Sequence, residues 1–230
     1  MHDSPAVRLE IVDVCRRLYE RGLIAGQDGN VSVRVDDDRV LVTPAGMSKV
    51  DVRPDDLVEV TLSGERVRGY RQPSSEVSVH LRIYARRSDV RAVVHAHPPT
   101  ATGFAVAGEG FDVDVLPEVI FLLGHVPIVP YEMPGTQALA DRFEPFVGAH
   151  DAFLMANHGA VTVGPSLLVA HQRMESLEHA ARIVLTARLL GRVNVLSPAQ
   201  VAELISARQR AGITGVNPEC SALESRRRGE

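Results

Sequence analysis

Three histidines and one glutamate are the residues of this sequence whose types and spacing suggest chemistry. His95 and His97 form a His-x-His pair after the apolar run 90–94, which predicts a buried strand. Side chains at i and i+2 of a strand point to the same face, so both imidazoles can chelate one ion. His158, which follows the apolar run 152–156, is the natural third ligand. Three protein ligands with one open position are typical of catalytic zinc, so the pattern predicts a metal site.

Each of these residues also has a simpler interpretation. A lone His-x-His pair is as often a pair of surface or core histidines, and His171, on a predicted helix, is a rival third ligand. We prefer His158 because it follows a strand and precedes Gly159, which permits a sharp turn. Glu76 is either a charge that complements a helix dipole or a general base beside the metal.

Two turns and one helix start predict an anion pocket. The turn 26–30 is rich in Gly and Asp and ends at Asn30, and the second turn, 43–46, ends at Gly46. Ser74 and Ser75 open a predicted helix that runs to about residue 86, whose free N–H groups attract an anion. Asn30 can also be a plain turn residue. Lys49 can lend positive charge to this pocket, but a solvated lysine is expected. His80, one turn after Glu76, can support the site from behind, but a partly exposed helix histidine is expected.

The surrounding pattern predicts the elements that position these residues. Apolar residues at helical spacing predict a helix from residue 5 to about 21, a long helix over 166–190 and a last helix over 197–210. Alternating valines predict strands at 31–35 and 40–42. A further helix is expected from 135 to about 146, and the Gly-, Pro-, Ser- and Arg-rich segment 211–230 is expected to be a mobile tail.

Five segments occur in an order that points to one family. GQDGNVSVR, VTPAGM, PSSEVSVH, VVHAHPPT and MANHGAV together resemble the class II aldolase/adducin family, in its L-fuculose-1-phosphate aldolase branch, over about residues 8–190. The resemblance implies an α/β fold in a single domain over 1–210. In that fold a central, mostly antiparallel β-sheet is flanked by helical layers.

The resemblance also implies roles for individual residues. His95, His97 and His158 match the family's zinc ligands, with Mn²⁺ or Co²⁺ as possible substitutes, and Glu76 matches its catalytic acid/base. The phosphate-binding groups match Asn30, Gly46, Ser74 and Ser75. The implied function is a zinc-dependent class II aldolase that cleaves a ketose 1-phosphate to dihydroxyacetone phosphate and an aldehyde through a metal-stabilised enediolate. A homotetramer with sites at subunit boundaries is also implied.

Two departures from the family pattern keep alternatives open. Ala45 stands where the aldolases often have a threonine that holds phosphate, and Phe121 lies near the position of their tyrosine proton donor. The segment 209–230 contains no tyrosine, although a second tyrosine of the family comes from that tail. A metal-dependent decarboxylase of a β-keto acid on the same fold is therefore the alternative. A non-catalytic adducin-like binding module is less favoured, because all three metal ligands are present.

Composition limits the class of partner. The chain has 230 residues, a net charge of −4 and 45% hydrophobic residues, as expected for a globular domain. Basic residues are concentrated only at 226–228, which argues against nucleic acid. No apolar run approaches the roughly 20 residues of a membrane span, and no signal peptide is evident. Cys15 and Cys220 form no disulfide framework. We expect a cytoplasmic enzyme with a small anionic sugar-phosphate or keto-acid substrate.

Overall fold

An eight-stranded sheet forms the centre of the molecule. The computed structural model describes residues 4–110 and 114–213. Strand order is β4-β3-β2-β1-β5-β8-β7-β6, and every neighbouring pair is antiparallel except β6 and β7. The strands are β1 (Asn30–Arg34), β2 (Arg39–Val42), β3 (Val58–Thr61), β4 (Arg66–Arg68), β5 (Ala92–Ala96), β6 (Ile128–Val129), β7 (Ala152–Met155) and β8 (Gly159–Gly164).

Helices cover both faces of this sheet. They are α1 (Pro5–Glu20), α2 (Val77–Arg86), α3 (Pro99–Ala107), α4 (Pro117–Leu122), α5 (Gln137–Arg142), α6 (Glu144–Val147), α7 (Leu167–Leu189) and α8 (Pro198–Arg210). One apolar core joins the sheet to α1, α3 and α7, and a second joins it to α2, α5 and α6. The predicted fold class, a mostly antiparallel sheet between helical layers, is confirmed.

The central strands are buried along their whole length, and this brings the candidate residues together. All residues of β1, β5 and β8 are buried, so these strands are covered on both faces. One face of β1 is polar and carries Asn30, Ser32 and Arg34. In the β1–β5 register Asn30 lies opposite His95, and in the β5–β8 register His95 lies opposite Val161. Asn30 and His95 therefore lie side by side on the two central strands of the sheet.

Two predicted helices differ from the structure at their boundaries. The helix expected from Ser74 begins at Val77, with Glu76 at the N-cap position, because residues 74–76 form a turn instead. The helix expected over 135–146 is divided into α5 and α6 at Phe143. Pro145 explains the break, since proline lacks the N–H that a continuous helix needs at that position.

The remaining sequence expectations meet the described residues only in part. Among the described residues, no helix combines the length and the apolar composition that crossing a membrane requires. Cys15 is buried and unpaired within α1. Most of the predicted tail, 214–230, lies outside the described residues, and so do Cys220 and the arginines at 226–228.

Candidate active site

His95 and His97 lie where β5 leaves the sheet. Strand β5 ends at Ala96, and the His97 N–H donates to the carbonyl of Leu23 at 3.0 Å. Helix α3 begins two residues later, and the buried carboxylate of Glu178, on α7, accepts hydrogen bonds from its first turn. The donors are the N–H groups of Thr100 and Ala101, at 2.9 and 3.0 Å. This capping contact fixes the segment that follows the histidine pair.

His158 approaches the pair from the turn between β7 and β8. Asn157 has a φ of 55° in this turn and is the only non-glycine residue with positive φ in the part of the chain that the structure describes. The sequence interpretation assigned the sharp turn to Gly159, and this was wrong. Gly159 is needed for close approach instead, since a Cβ there would lie 2.6 Å from both the Ala96 carbonyl and the His97 ring.

The three imidazoles converge on one point. One nitrogen of each of His95, His97 and His158 lies within 4.8 Å of the others, and the Nε2 atoms of His95 and His97 are 3.2 Å apart. Zn–N bonds of about 2.0–2.1 Å in a tetrahedral site place ligand nitrogens about 3.4 Å apart. The Nδ1 of His95 donates to the Ala160 carbonyl at 2.9 Å, which leaves its Nε2 lone pair facing the other rings. The donor set and its spacing therefore fit a divalent metal ion.

The carboxylate of Glu76 spans two of the three histidines. Its Oε2 is 3.1 Å from His95 Nε2, and its Oε1 is 3.2 Å from His158 Nε2. The side-chain amide of Asn30 donates to Oε2 at 3.1 Å. Glu76 is thus held at the same point on which the imidazoles converge, and no intervening side chain separates it from them.

Burial and mutual charge set the protonation of this cluster. Burial alone would raise the pKa of Glu76, but the charges of His95 and His158 outweigh it and lower the pKa to about 2. Burial, followed by the charge of His95, lowers the pKa of His97 to about 4 and also lowers that of His158. Burial opposes the charged form of His95, but Glu76 raises its pKa. Near neutral pH the carboxylate is ionised, and His97 and His158 keep their lone pairs for a metal.

A polar cavity of about 280 Å³ opens beside the histidines. It is lined by the predicted anion-binding residues Asn30, Gly46, Ser74 and Ser75, and also by Glu76, His97 and His158, together with Gln27, Asp28, Gly29, Pro44, Ala45, Lys49 and Pro134. The turns 43–46 and 73–76 are held together by the Ser74 N–H, which donates to the Thr43 carbonyl at 3.1 Å. All four predicted phosphate-binding residues therefore line the same cavity.

Asn30 contributes to this site differently from the sequence prediction. Its amide nitrogen is engaged with Glu76, and its Oδ1 is buried without a hydrogen-bond partner among the described residues. Gly29, the residue before it, has a φ of 70°, and a Cβ there would lie 2.7 Å from the His95 carbonyl. The turn 26–30 is consequently packed directly on the histidine strand, and Asn30 links the cavity wall to Glu76.

Sequence reasoning preferred the wrong alternative for Lys49 and His80 and did not single out Asp28. Lys49 is 3% exposed and lines the cavity, so the expectation of a solvated lysine was wrong. His80 is 1% exposed, so the expectation of a partly exposed histidine was wrong as well. Asp28 lies in the turn 26–30, and its Oδ2 is 3.3 Å from His97 Nδ1. The signal available in the sequence was the Gly- and Asp-rich turn itself, which was interpreted only as an anion pocket.

His80 belongs to a buried polar network behind Glu76. Its Nδ1 lies 2.6 Å from the Ser32 hydroxyl, which lies 2.8 Å from the hydroxyl of Tyr84. Burial first, and the charge of His95 second, lower the pKa of His80 to about 3. This network joins α2, which carries Glu76 at its N-terminus, to β1, which carries Asn30.

Other candidates from the sequence do not join the site. His171, the rival third ligand, lies on α7 with its Nδ1 3.5 Å from Glu175. Phe121, on α4, is not among the described residues that line the cavity.

The chain is similar in sequence to a known family and to several of its members. Residues 9–185 match the family described as Class II Aldolase and Adducin N-terminal domain. The chain is 35% identical to a 3-oxo-tetronate 4-phosphate decarboxylase of Pectobacterium atrosepticum, over 86% of this chain and 91% of that protein. It is 32% identical to an L-fuculose phosphate aldolase of Methanocaldococcus jannaschii, over 76% of this chain and 94% of that protein.

The fold comparison agrees with the sequence comparison. A solved structure of L-fuculose 1-phosphate aldolase superposes with a TM-score of 0.84 and 30% sequence identity. The match covers 90% of this chain and 98% of that one. Relatives named as decarboxylases and relatives named as aldolases therefore share this fold.

Proposed function

The chain belongs to the class II aldolase and adducin family, and we propose that it is a metal-dependent lyase. In this proposal the enzyme breaks a carbon–carbon bond next to the carbonyl of a small phosphorylated substrate. One observation carries it: the Glu76 carboxylate spans His95 and His158 at the wall of a polar cavity. A proton-transfer group, a metal-ligand set and a polar pocket thus lie side by side.

His95, His97 and His158 would hold the metal through their Nε2 atoms. The fit rests on the 3.2 Å separation of two of these nitrogens and on the carbonyl that fixes the tautomer of His95. A divalent ion such as Zn²⁺, Mn²⁺ or Co²⁺ supplies Lewis-acid stabilisation of negative charge on a carbonyl oxygen. Imidazole ligands suit all three ions, so the donor set does not select one.

Glu76 moves the proton in this proposal. Cleavage beside a carbonyl leaves an enediolate, which must take up one proton at carbon before release. Glu76 is ionised near neutral pH, so it would first accept the proton of the enediolate's hydroxyl group and then deliver it to that carbon. Solvent would return a proton to the oxygen, and Glu76 would be ionised again. The Asn30 amide, which donates to Oε2, and the turn at residues 74–76 hold the carboxylate in place. A group held in this way contributes both as an acid–base catalyst and through its position.

The anionic end of the substrate would lie against Ser74, Ser75 and the turn that ends at Gly46. Gly46 has a φ of 66° and lines the cavity, so its backbone can approach a ligand closely. Hydroxyl groups and turn N–H groups are the donors that phosphate prefers in such sites. Ala45 supplies no hydroxyl at its position, and the serines supply the side-chain donors.

Decarboxylation and aldol cleavage differ here only in the leaving group. Loss of CO₂ from a 3-oxo-tetronate 4-phosphate, and loss of an aldehyde from a ketose 1-phosphate, both leave the enediolate of dihydroxyacetone phosphate. Decarboxylation needs one proton, delivered to carbon. Aldol cleavage also needs a base for the hydroxyl proton on the departing carbon. Among the described residues that line the cavity, Glu76 is the carboxylate that contacts two of the histidines, and the second carboxylate, Asp28, is engaged with His97 Nδ1. With Asp28 engaged in this way, one free proton-transfer group remains, which favours decarboxylation of a phosphorylated 3-oxo acid.

Aldol cleavage of a ketose 1-phosphate is the second candidate. The likeness to L-fuculose 1-phosphate aldolase, at a TM-score of 0.84, favours it. A further acid–base group would then come from outside the described cavity wall. The homotetramer that the sequence resemblance implies would allow a neighbouring subunit to provide it, and that assembly stays a prediction.

The released products separate the two reactions. The zinc-, manganese- or cobalt-loaded enzyme is incubated with 2-hydroxy-3-oxo-4-phosphobutanoate or with a set of ketose 1-phosphates. Dihydroxyacetone phosphate is measured by coupled reduction, and CO₂ and aldehyde are measured separately. We expect equal amounts of CO₂ and dihydroxyacetone phosphate from the oxo acid. Aldehyde without CO₂ would establish the aldolase, and turnover of neither substrate class would contradict the proposed function.

A further inference from the structure

Lys49 is the only lysine of the sequence, and the other 24 basic residues are arginines. It is also buried, at 3% exposure, although lysine is almost never fully buried without a partner. Lysine presents a compact point charge with three donors, whereas arginine presents a wide planar fork. The one lysine side chain of this sequence is therefore placed at a buried position in the cavity wall.

The Lys49 ammonium joins the two turns of the anion cavity. Its Nζ donates to the Gln27 carbonyl and to the Met47 carbonyl, each at 2.8 Å. The first carbonyl belongs to the turn 26–30, and the second follows directly after Gly46. Both turns line the cavity, so Lys49 fixes the distance between its two walls.

The charges around the cavity explain why a buried cation is useful there. Asp28 and Glu76 place two carboxylates in the cavity wall. Lys49 is the only lysine or arginine among the described residues that line it. A phosphate dianion would otherwise meet two like charges in a partly dehydrated site, where Coulomb interactions are stronger than in water. Neutral hydroxyls and N–H groups do not offset that repulsion.

We propose that Lys49 determines the preference of this site for phosphorylated substrates, because it clamps the two anion-binding turns and supplies their positive charge. The inference rests on the proposed function, since it places the substrate phosphate in this cavity. After two hydrogen bonds to carbonyls, the ammonium retains a third donor. Lys49 acts as a specificity-determining residue and takes no part in breaking the carbon–carbon bond.

A single lysine makes the test possible in the unmodified enzyme. Protein labelled with ¹³C and ¹⁵N only in lysine gives one Cε resonance, which needs no assignment. Inorganic phosphate is titrated into the zinc-loaded protein, with sodium chloride at matched ionic strength as the reference. We expect the resonance to shift and to saturate with the Kd that calorimetry measures for phosphate. A resonance that stays in place while calorimetry reports saturation would overturn the proposal.

Variants of Lys49 then test how its charge contributes to phosphate affinity. Lys49→Met is expected to raise the phosphate Kd about 10- to 100-fold, since hydrogen bonds to charged groups are worth that much in binding. Lys49→Arg, which keeps the charge, should recover part of the loss. Arg192→Met, which removes an exposed positive charge outside the cavity, should leave the Kd unchanged. A Lys49→Met protein that is folded and binds phosphate within twofold of the wild type contradicts the proposal.

The failure of this inference can be told apart from failure of the proposed function. If the wild-type protein binds no phosphate at all, the cavity is not an anion site and both proposals fall. If phosphate binds with no involvement of Lys49, only the inference about Lys49 is wrong. If the inference is correct, Lys49→Met raises the KM for a phosphorylated substrate and keeps kcat within a few-fold of the wild-type value.

Discussion

Among the described residues, the Asp151 cluster and the histidine cluster are both buried, and they are built in opposite ways. In the Asp151 cluster, the carboxylate of Asp151 faces Arg87 at 2.9 Å, Arg173 at 2.7 Å and Arg208 at 3.9 Å. In the histidine cluster, two imidazole nitrogens face each other at 3.2 Å. Opposite charges meet in the first cluster, whereas like groups, all of them electron-pair donors, meet in the second.

The protonation of the two clusters follows from this difference. Hydrogen bonds to Asp89 first, and to Asp151 second, raise the pKa of Arg87 in spite of its burial, so its charged form is stabilised. Burial lowers the pKa of Arg173 and of Arg208, although the charge of Asp151 opposes that shift. Burial and a neighbouring charge lower the pKa of His97 and His158, so the neutral, metal-binding form is stabilised. Perturbed groups alone do not identify a functional site. The arrangement of like donors around one point is the better indicator.

The largest expected effect is on catalysis through Glu76. Glu76→Gln removes the proton-transfer group and keeps the shape of the side chain, so kcat should fall about 10²- to 10⁴-fold while bound metal is retained. Steady-state kinetics and metal analysis on the same sample measure both. Glu175→Gln is the matched control, because Glu175 also contacts a histidine, His171, outside the cavity. Full activity of Glu76→Gln would show that Glu76 takes no part in proton transfer.

A change in the Asp151 cluster should affect stability without affecting the site. Asp151→Asn leaves buried guanidinium groups without their carboxylate, which costs about 3–5 kcal/mol of unfolding free energy for a broken buried ion pair. Urea denaturation measures the loss. Asp89→Asn, which changes the more exposed partner of Arg87, should cost at most about 1 kcal/mol. If Asp151→Asn weakened metal affinity and left the unfolding free energy nearly unchanged, the contrast between the clusters would be wrong.

The sequence predicted much of the histidine cluster and nothing of the Asp151 cluster. The two-residue spacing of His95 and His97 at the end of a strand, and the strand before His158, were local signals. The partners of Asp151 lie at residues 87, 173 and 208, on three different helices or helix ends, so only the fold reveals them. Lys49 and His80 were placed wrongly for the same reason, because the Gln27 carbonyl and the Ser32 hydroxyl that satisfy them are distant in sequence.

A third test uses the buried His80. Its folded-state pKa of about 3 lies below the ordinary value of 6.5, so below pH 6.5 the unfolded chain takes up a proton that the folded chain does not. Stability from this group is therefore full above pH 6.5 and is lost as pH falls toward 3, by about 2 kcal/mol at pH 5. His80→Gln, which retains a group that can bond to Ser32, should lose less stability than wild type between pH 7.5 and 5. Equal losses in urea denaturation would refute this.

The smallest expected effect concerns the carboxylate contact behind His97. The Asp28 Oδ2, 3.3 Å from His97 Nδ1, orients the ring and raises its basicity, so Asp28→Asn should weaken metal affinity about 10-fold. Competition with a chromophoric chelator measures the affinity. Asp55→Asn removes an exposed carboxylate outside the cavity and should have no effect. An unchanged affinity for Asp28→Asn would show that the backbone contacts of the strand alone orient His97.

The central claim is that His95, His97 and His158 form one metal site. Metal analysis of the purified chain, after loading with zinc and removal of the excess, tests it most directly. We expect about one zinc per chain, none retained by His97→Ala, and full retention by His171→Ala, the histidine that lies outside the cluster. A wild-type chain that retains no zinc, manganese or cobalt, or a His97→Ala chain that retains as much as wild type, would contradict the account.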